Sequence, residues 1–125
     1  MQVRKYERYD YYTLVEWWSQ RNWKAPSINM LPKTGFIVEN ICAGFLYKTD
    51  SEIAWLEFII SNPSSDKEER NQALDLVINS LVEEAKNSGF KAIFTSVEHK
   101  KLIERYIKHG FAESDKDMTN MVKRL

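Results

Sequence analysis

Apolar residues recur along this chain in two rhythms. Tyr11, Leu14, Val15 and Trp18 follow the i, i+3, i+4, i+7 spacing of a helical face. They predict a helix capped by Asp10 and ending near Asn22. Leu74, Val77, Ile78, Leu81 and Ala85 form a longer stripe that runs to about Ser88, with Gly89 placed as the left-handed residue beyond its end. Leu102, Ile103, Tyr106 and Ile107 make a third stripe between His99 and His109, closed by Gly110.

Strand-like segments fill the rest. Val3 to Tyr6 reads as a short first strand, and Ser27 starts a short helical turn before Pro32-Lys33-Thr34-Gly35 breaks the chain. Phe36 to Glu39 and Ile41 to Tyr47 flank a tight turn at Glu39-Asn40, and Ile53 to Ser61 follows the polar turn of Lys48 to Ser51. That third run is apolar on both faces, which predicts an inner strand. Its alternation sets Trp55, Glu57 and Ile59 on one face, and Leu56, Phe58 and Ile60 on the other. Phe90 to Val97 predicts another buried strand, and a hairpin around Asp115-Lys116-Asp117 ends in Met118 to Leu125.

The predicted order is β-α-α-β-β-β-α-β-α-β-β. A right-handed crossover around the long helix makes its flanking strands parallel, while the preceding meander is antiparallel. The class is α/β, with a mixed sheet and helices on both faces. No repeat or linker interrupts the chain, so residues 1–125 are expected to form one domain.

Composition narrows the function classes. Eighteen basic and eighteen acidic side chains cancel, so no overall field favours nucleic acid or an anionic membrane. Arg4, Lys5, Glu7, Arg8 and Asp10 interrupt any apolar start, so no secretory leader is expected. The longest apolar stretch, Ile53 to Ile60, contains Glu57 and is too short to span a bilayer. The single cysteine, Cys42, lies in an apolar strand, reads as a small buried hydrophobe, and suits a reducing cytoplasm. With only His99 and His109 beside it, no Cys/His zinc tetrad can assemble, and no metal is expected.

Two motifs stand at a telling separation. Ser88-Gly89-Phe90-Lys91-Ala92-Ile93 joins the long helix to a strand through a Gly-aromatic pair, and Tyr106-Ile107-Lys108-His109-Gly110-Phe111 ends the next helix as Tyr-x-x-x-Gly-Phe. Together with the element order, they resemble the GNAT family of N-acetyltransferases over nearly the whole chain. The chain departs from that family at its phosphate loop, where Arg70-Asn71-Gln72-Ala73-Leu74-Asp75 lacks glycine and follows a lengthened, acid-rich loop. It departs again at His99, where many relatives carry asparagine.

The resemblance implies acetyl-CoA as the acyl donor. It also implies direct attack, in a ternary complex, by an amine of a small molecule or a protein. On this reading the pantetheine arm pairs along Phe58, Ile59, Ile60 and Ser61. The diphosphate meets the backbone of Arg70, Asn71, Gln72, Ala73, Leu74 and Asp75, with Arg70 as a fixed charge, and His99 and Lys101 lie at the cofactor. Tyr106 is the candidate acid and Glu57 the candidate base, with water as the alternative base. Trp17 and Trp23 are candidates to line the acceptor pocket.

Each role has a plainer counterpart. Tyr106 also fits a core stripe, Glu57 an ion pair at a sheet edge, and Trp17 and Trp23 core or homodimer contacts. His99 also reads as a helix cap or a surface residue. Ser65-Asp66-Lys67-Glu68 reads as a capping box that would close the helix tip to phosphate. A non-catalytic module of the same fold, binding acyl-CoA or a protein partner, is the competing function.

Overall fold

The computed structural model describes residues 1–125. Five strands form one sheet in sequence order: β1 (Val3–Lys5), β2 (Gly35–Val38), β3 (Cys42–Lys48), β4 (Ile53–Ser61) and β5 (Ala92–Phe94). The first four are antiparallel neighbours, and β5 runs parallel to β4. Three helices accompany them: α1 (Tyr11–Gln20), α2 (Lys67–Asn87) and α3 (Lys100–Lys108). Short 3-10 turns at Arg8–Asp10 and Ile28–Met30 precede α1 and β2 respectively.

The sheet divides two cores, as its alternating side chains require. On one face α2 lays Ala73, Val77, Ile78, Leu81 and Ala85 against Cys42, Leu46, Ala54 and Leu56, with Tyr106 of α3 joining them. On the other, α1 packs Leu14, Trp17 and Trp18 against Ile37, Ala43, Phe45 and Ile60. Helices on both faces of a mixed sheet match the expected class. Cys42 is fully buried, and burial pushes its thiol up to about 12, so it is an inert hydrophobe. No helix is long and apolar enough to cross a membrane.

Three local expectations change. Asp10 stands at the N-cap position of α1 as expected, but its side chain makes no capping bond: its carboxylate turns back to accept the Glu7 N–H at 2.8 Å and to pair with Arg4 at 2.8 Å. The strand expected over Phe90 to Val97 shrinks to Ala92–Phe94, because only Ile53 to Trp55 of β4 pair with it. The C-terminal hairpin does not form, and residues 111–125 carry no strand. Met118, Met121, Val122 and Leu125 are exposed there, so no apolar burial offsets the entropy of ordering that segment. Gly89 and Gly110, at φ +87° and +91°, close α2 and α3 in the left-handed conformation open to glycine.

Candidate active site

The site begins with an irregularity in β4. Ala43 pairs with Ile60 and Phe45 with Glu57, so Phe58 and Ile59 together face the single residue Gly44. The extra residue is absorbed by Phe58, which sits at φ +58°, an uncommon conformation for a bulky side chain. The bulge reverses the predicted alternation. Ile59 crosses to the α2 core, while Phe58 and Ile60 join the α1 core. Gly44 permits this, since a Cβ there would lie 2.5 Å from Ile59 Cδ1.

Past Trp55 and Phe94 no ladder pair joins β4 to the chain leaving β5, and the two separate. The opening is a cleft of about 180 Å³ lined by Glu57, Phe58, Ile59, Thr95–His99, Leu102 and Tyr106. Its walls are held by side-chain bonds rather than by a ladder. Thr95 Oγ1 donates to the Leu56 carbonyl at 2.7 Å, and the Ser96 N–H donates to Glu57 Oε1 at 2.7 Å. Thr95 and Ser96 were not among the predicted site residues. Hydroxyl residues just past an apolar strand were the available signal.

Both predicted acid–base residues line this cleft. Glu57 has no ion-pair partner, so the edge salt bridge is not its role. Burial raises its carboxyl above the ordinary glutamate range, and the Ser96 N–H offsets part of that rise. Tyr106 is 3% exposed, and burial pushes its phenol up to about 12, with the Thr95 hydroxyl acting in the opposite sense. It packs against Phe111 at 5.0 Å between ring centroids, which couples the Tyr-x-x-x-Gly-Phe motif into one unit. Tyr106 is therefore a core residue and a cleft residue at once.

The segment expected to meet phosphate differs from the expectation. Helix α2 starts at Lys67, so Asn71, Gln72, Ala73, Leu74 and Asp75 lie within its body, where their N–H groups belong to the helical ladder. They are not a bare anion cradle. The helix tip lies earlier and is capped by Asp66, not Ser65: its carboxylate accepts the Glu68 and Glu69 N–H groups at 3.1 Å each. Ser65 instead donates to the Asn62 carbonyl at 2.6 Å. Ala73 is wholly buried in the core, and Asn71 and Asp75 hold α3 in place. Arg105 donates to Asp75 at 2.7 Å and to the Asn71 side chain at 2.8 Å, and His109 Nε2 lies 2.9 Å from Asp75.

Two guanidinium groups remain near that end without a carboxylate. Arg70 donates to the Ser65 carbonyl at 3.1 Å, and Arg21 donates to Ser61, reaching Oγ at 2.8 Å and the carbonyl at 3.1 Å. Burial, and then the charge of Arg70, hold Arg21 below the usual arginine range. Arg21 was not predicted, and its bond takes up the Ser61 carbonyl that was expected to face the cofactor. Ile60 is also withdrawn, being buried against α1. Phe58 and Ile59 of the predicted strand edge do line the cleft.

Other predicted residues sort by burial. Trp17 is 3% exposed and belongs to the core, because α1 turns it onto the sheet beside Trp18; it does not line this cleft. Trp23 is 54% exposed, with the Arg21 guanidinium 5.4 Å from its ring centre. His99 lines the cleft as the residue before α3 and makes no side-chain capping bond. Lys101 is exposed in the first turn of α3.

Comparison with known proteins agrees with this architecture. No family profile matches the chain, and no curated protein matches it in sequence. Solved structures do match. An acetyltransferase of Trypanosoma brucei superposes with a TM-score of 0.68 at 14% identity, covering 97% of this chain and 99% of its own. A glucosamine-6-phosphate N-acetyltransferase from Arabidopsis thaliana gives 0.68 at 14% identity, covering 98% of each chain. A Mycobacterium tuberculosis protein solved in complex with CoA gives 0.72 at 14% identity, covering 95% of this chain and 76% of the other. The mixed five-stranded sheet with its helices, and these superpositions, give this chain the GNAT-like fold of the acetyltransferases.

Proposed function

We propose that this protein is an N-acetyltransferase that passes the acetyl group of acetyl-CoA to an amine by direct attack within a ternary complex. The supporting observation is the meeting of Glu57 and Tyr106 in one cleft, at the place where β4 and β5 separate. Acetyl-CoA supplies the acetyl group as a thioester: the amine nitrogen bonds to the carbonyl carbon, and the carbon–sulfur bond breaks. The chain supplies position and two proton transfers. Glu57 takes the proton released by the attacking amine, for which a raised carboxyl pKa is an advantage. Tyr106 delivers a proton to the leaving sulfur, and its elevated pKa keeps that proton in place at neutral pH. Such acid–base help is worth roughly 10²–10⁴-fold.

The residues fit the two ends of acetyl-CoA unequally. The unpaired edge at Phe58 and Ile59 suits a pantetheine arm, with His99 beside its path. The phosphates are assigned to Arg70 and Arg21 rather than to the backbone of 71–75, since guanidinium groups without carboxylates favour phosphate oxygens. A cytoplasmic location, suited to a buried reduced thiol, belongs to the same proposal.

One observation favours a second reading, a non-catalytic module binding acyl-CoA or a protein. Asp66 already occupies helix-tip donors that a phosphate would use, and Glu68 and Glu69 add like charge. Titration with acetyl-CoA followed by melting temperature, alongside thioester cleavage over a panel of amines, separates the two. A ligand bound only to the folded state raises its stability with concentration. A melting shift with amine-dependent release of CoA supports the enzyme. A shift with no cleavage on any amine supports the module, and no shift at all removes acyl-CoA from both.

A further inference from the structure

Register places three aromatic rings in a row across the sheet. Tyr47 of β3 stands opposite Trp55 of β4, and Trp55 stands opposite Phe94 of β5. The Trp55 and Phe94 rings lie 5.4 Å apart, tilted by 53°, and are 38% and 39% exposed. Neither belongs to a core cluster. One row further along the same face comes Glu57, opposite Phe45, with no cation beside it. Trp55 and Glu57 are two residues apart on a strand, so roughly 6–7 Å separates them along it. Glu98 adds a second carboxylate to the cleft.

Open ring faces carry negative electrostatic potential and attract cations. A half-buried carboxylate held by one backbone N–H and no cation favours one too. The two features together make a short track with a place for positive charge at each end. An amine carrying a single positive charge would satisfy only one end.

Resting on the acetyl-transfer reading above, we infer that the acceptor is an amine bearing a second positive charge on a short flexible spacer. Its reacting nitrogen lies at Glu57, and its distal cation rests on the Trp55 and Phe94 rings. Trp55 and Phe94 thus select the acceptor, while Glu57 takes the proton that leaves the attacking nitrogen.

Three probes test this without requiring turnover: diaminobutane, butylamine and butanediol, followed through the indole N–H resonance assigned to Trp55. Diaminobutane should move that resonance and bind about tenfold more tightly than butylamine, with butanediol inert. Phe94→Leu, read at the same resonance, and Trp55→Leu, read by calorimetric titration, should each weaken diaminobutane about tenfold, Phe94→Tyr should restore it, and the melting shift with acetyl-CoA should stay as in the parent. Equal binding of butylamine or butanediol would overturn the inference, as would indifference to all three probes. A solution dimer that buries Trp55 and Phe94 would do the same. The two readings also fail separately. Diaminobutane bound at Trp55 but never acetylated removes the acetyl-transfer reading alone. Acetylation of a broad amine panel with no preference for a second charge removes this inference alone.

Discussion

Gly44 and Ile59 share one space: a Cβ on Gly44 would sit 2.5 Å from Ile59 Cδ1, with Leu81 and Val77 side chains 3.1 Å away. Ile59 occupies that space because the bulge at Phe58 turns it to the α2 face. Gly44→Ala therefore overpacks the core beside the cleft. The expected loss is about 1–3 kcal/mol of stability, read by denaturant midpoint, with a drop in acetyl-CoA affinity as the strand edge shifts. A variant as stable as the parent would show that Ile59 has room to move.

Tyr106→Phe removes only the phenolic oxygen of a residue packed on Phe111. Turnover should fall about 10²-fold or more, while KM for acetyl-CoA and melting temperature stay close to those of the parent. A parallel rise in KM would instead assign Tyr106 to binding.

Glu57 gives the pH dependence a sign. A base must be unprotonated, so the rate should rise with pH through a limb lying above the ordinary glutamate range, where burial has moved this carboxyl. That limb should vanish in Glu57→Gln, whose low residual rate follows only the acceptor's own titration. Stability runs the opposite way. A carboxyl raised in the folded state holds its proton more tightly there, so its contribution is full below the unfolded pKa and lost as pH rises through the folded one. Glu57→Gln keeps an acceptor for the Ser96 N–H and should melt no lower than the parent at neutral pH.

Asp75 is the hub joining α2 to α3. Burial pushes its carboxyl up, but hydrogen bonds from His109 and then Arg105 outweigh this and leave it below the usual range. Its contribution is therefore present above the unfolded pKa and lost as pH falls through the folded one. Asp75→Ala should cost about 1–2 kcal/mol and speed hydrogen exchange in α3 more than in α2. Uniform acceleration would mean that the two helices open together.

Asp66 sets stability against ligand. Its removal in Asp66→Ala leaves the Glu68 and Glu69 N–H groups uncapped, costing about 0.5–2 kcal/mol. If phosphate oxygens reach the helix tip, the same change should tighten acetyl-CoA, so melting temperature and affinity move in opposite directions. Lower stability with unchanged affinity would leave the phosphates to Arg70 and Arg21 alone.

Much of this molecule was legible as periodicity. The stripe from Leu74 to Ala85 marked α2, the run from Ile53 to Ser61 coincides with β4, and Gly89 and Gly110 closed their helices where the pattern ended. Local chemistry decides such features, because a residue's neighbours at i+2, i+3 and i+4 are fixed by the backbone itself. The placement of Tyr106 at the cleft followed from its motif, and that of Glu57 from its position in β4.

Periodicity could not place the one extra residue at Phe58, which moves Ile59 to the opposite core and shapes the cleft. It could not choose between Ser65 and Asp66 as the cap, two adjacent residues of similar propensity, and a helix begun at either one carries 71–75 into its body. Nor could it separate Trp17 from Trp55: both are tryptophans inside predicted elements, and only the packing of α1 on the sheet buries one and leaves the other open. Short-range order was written in residue spacing; register, caps and exposure were decided by contacts between segments far apart in the chain.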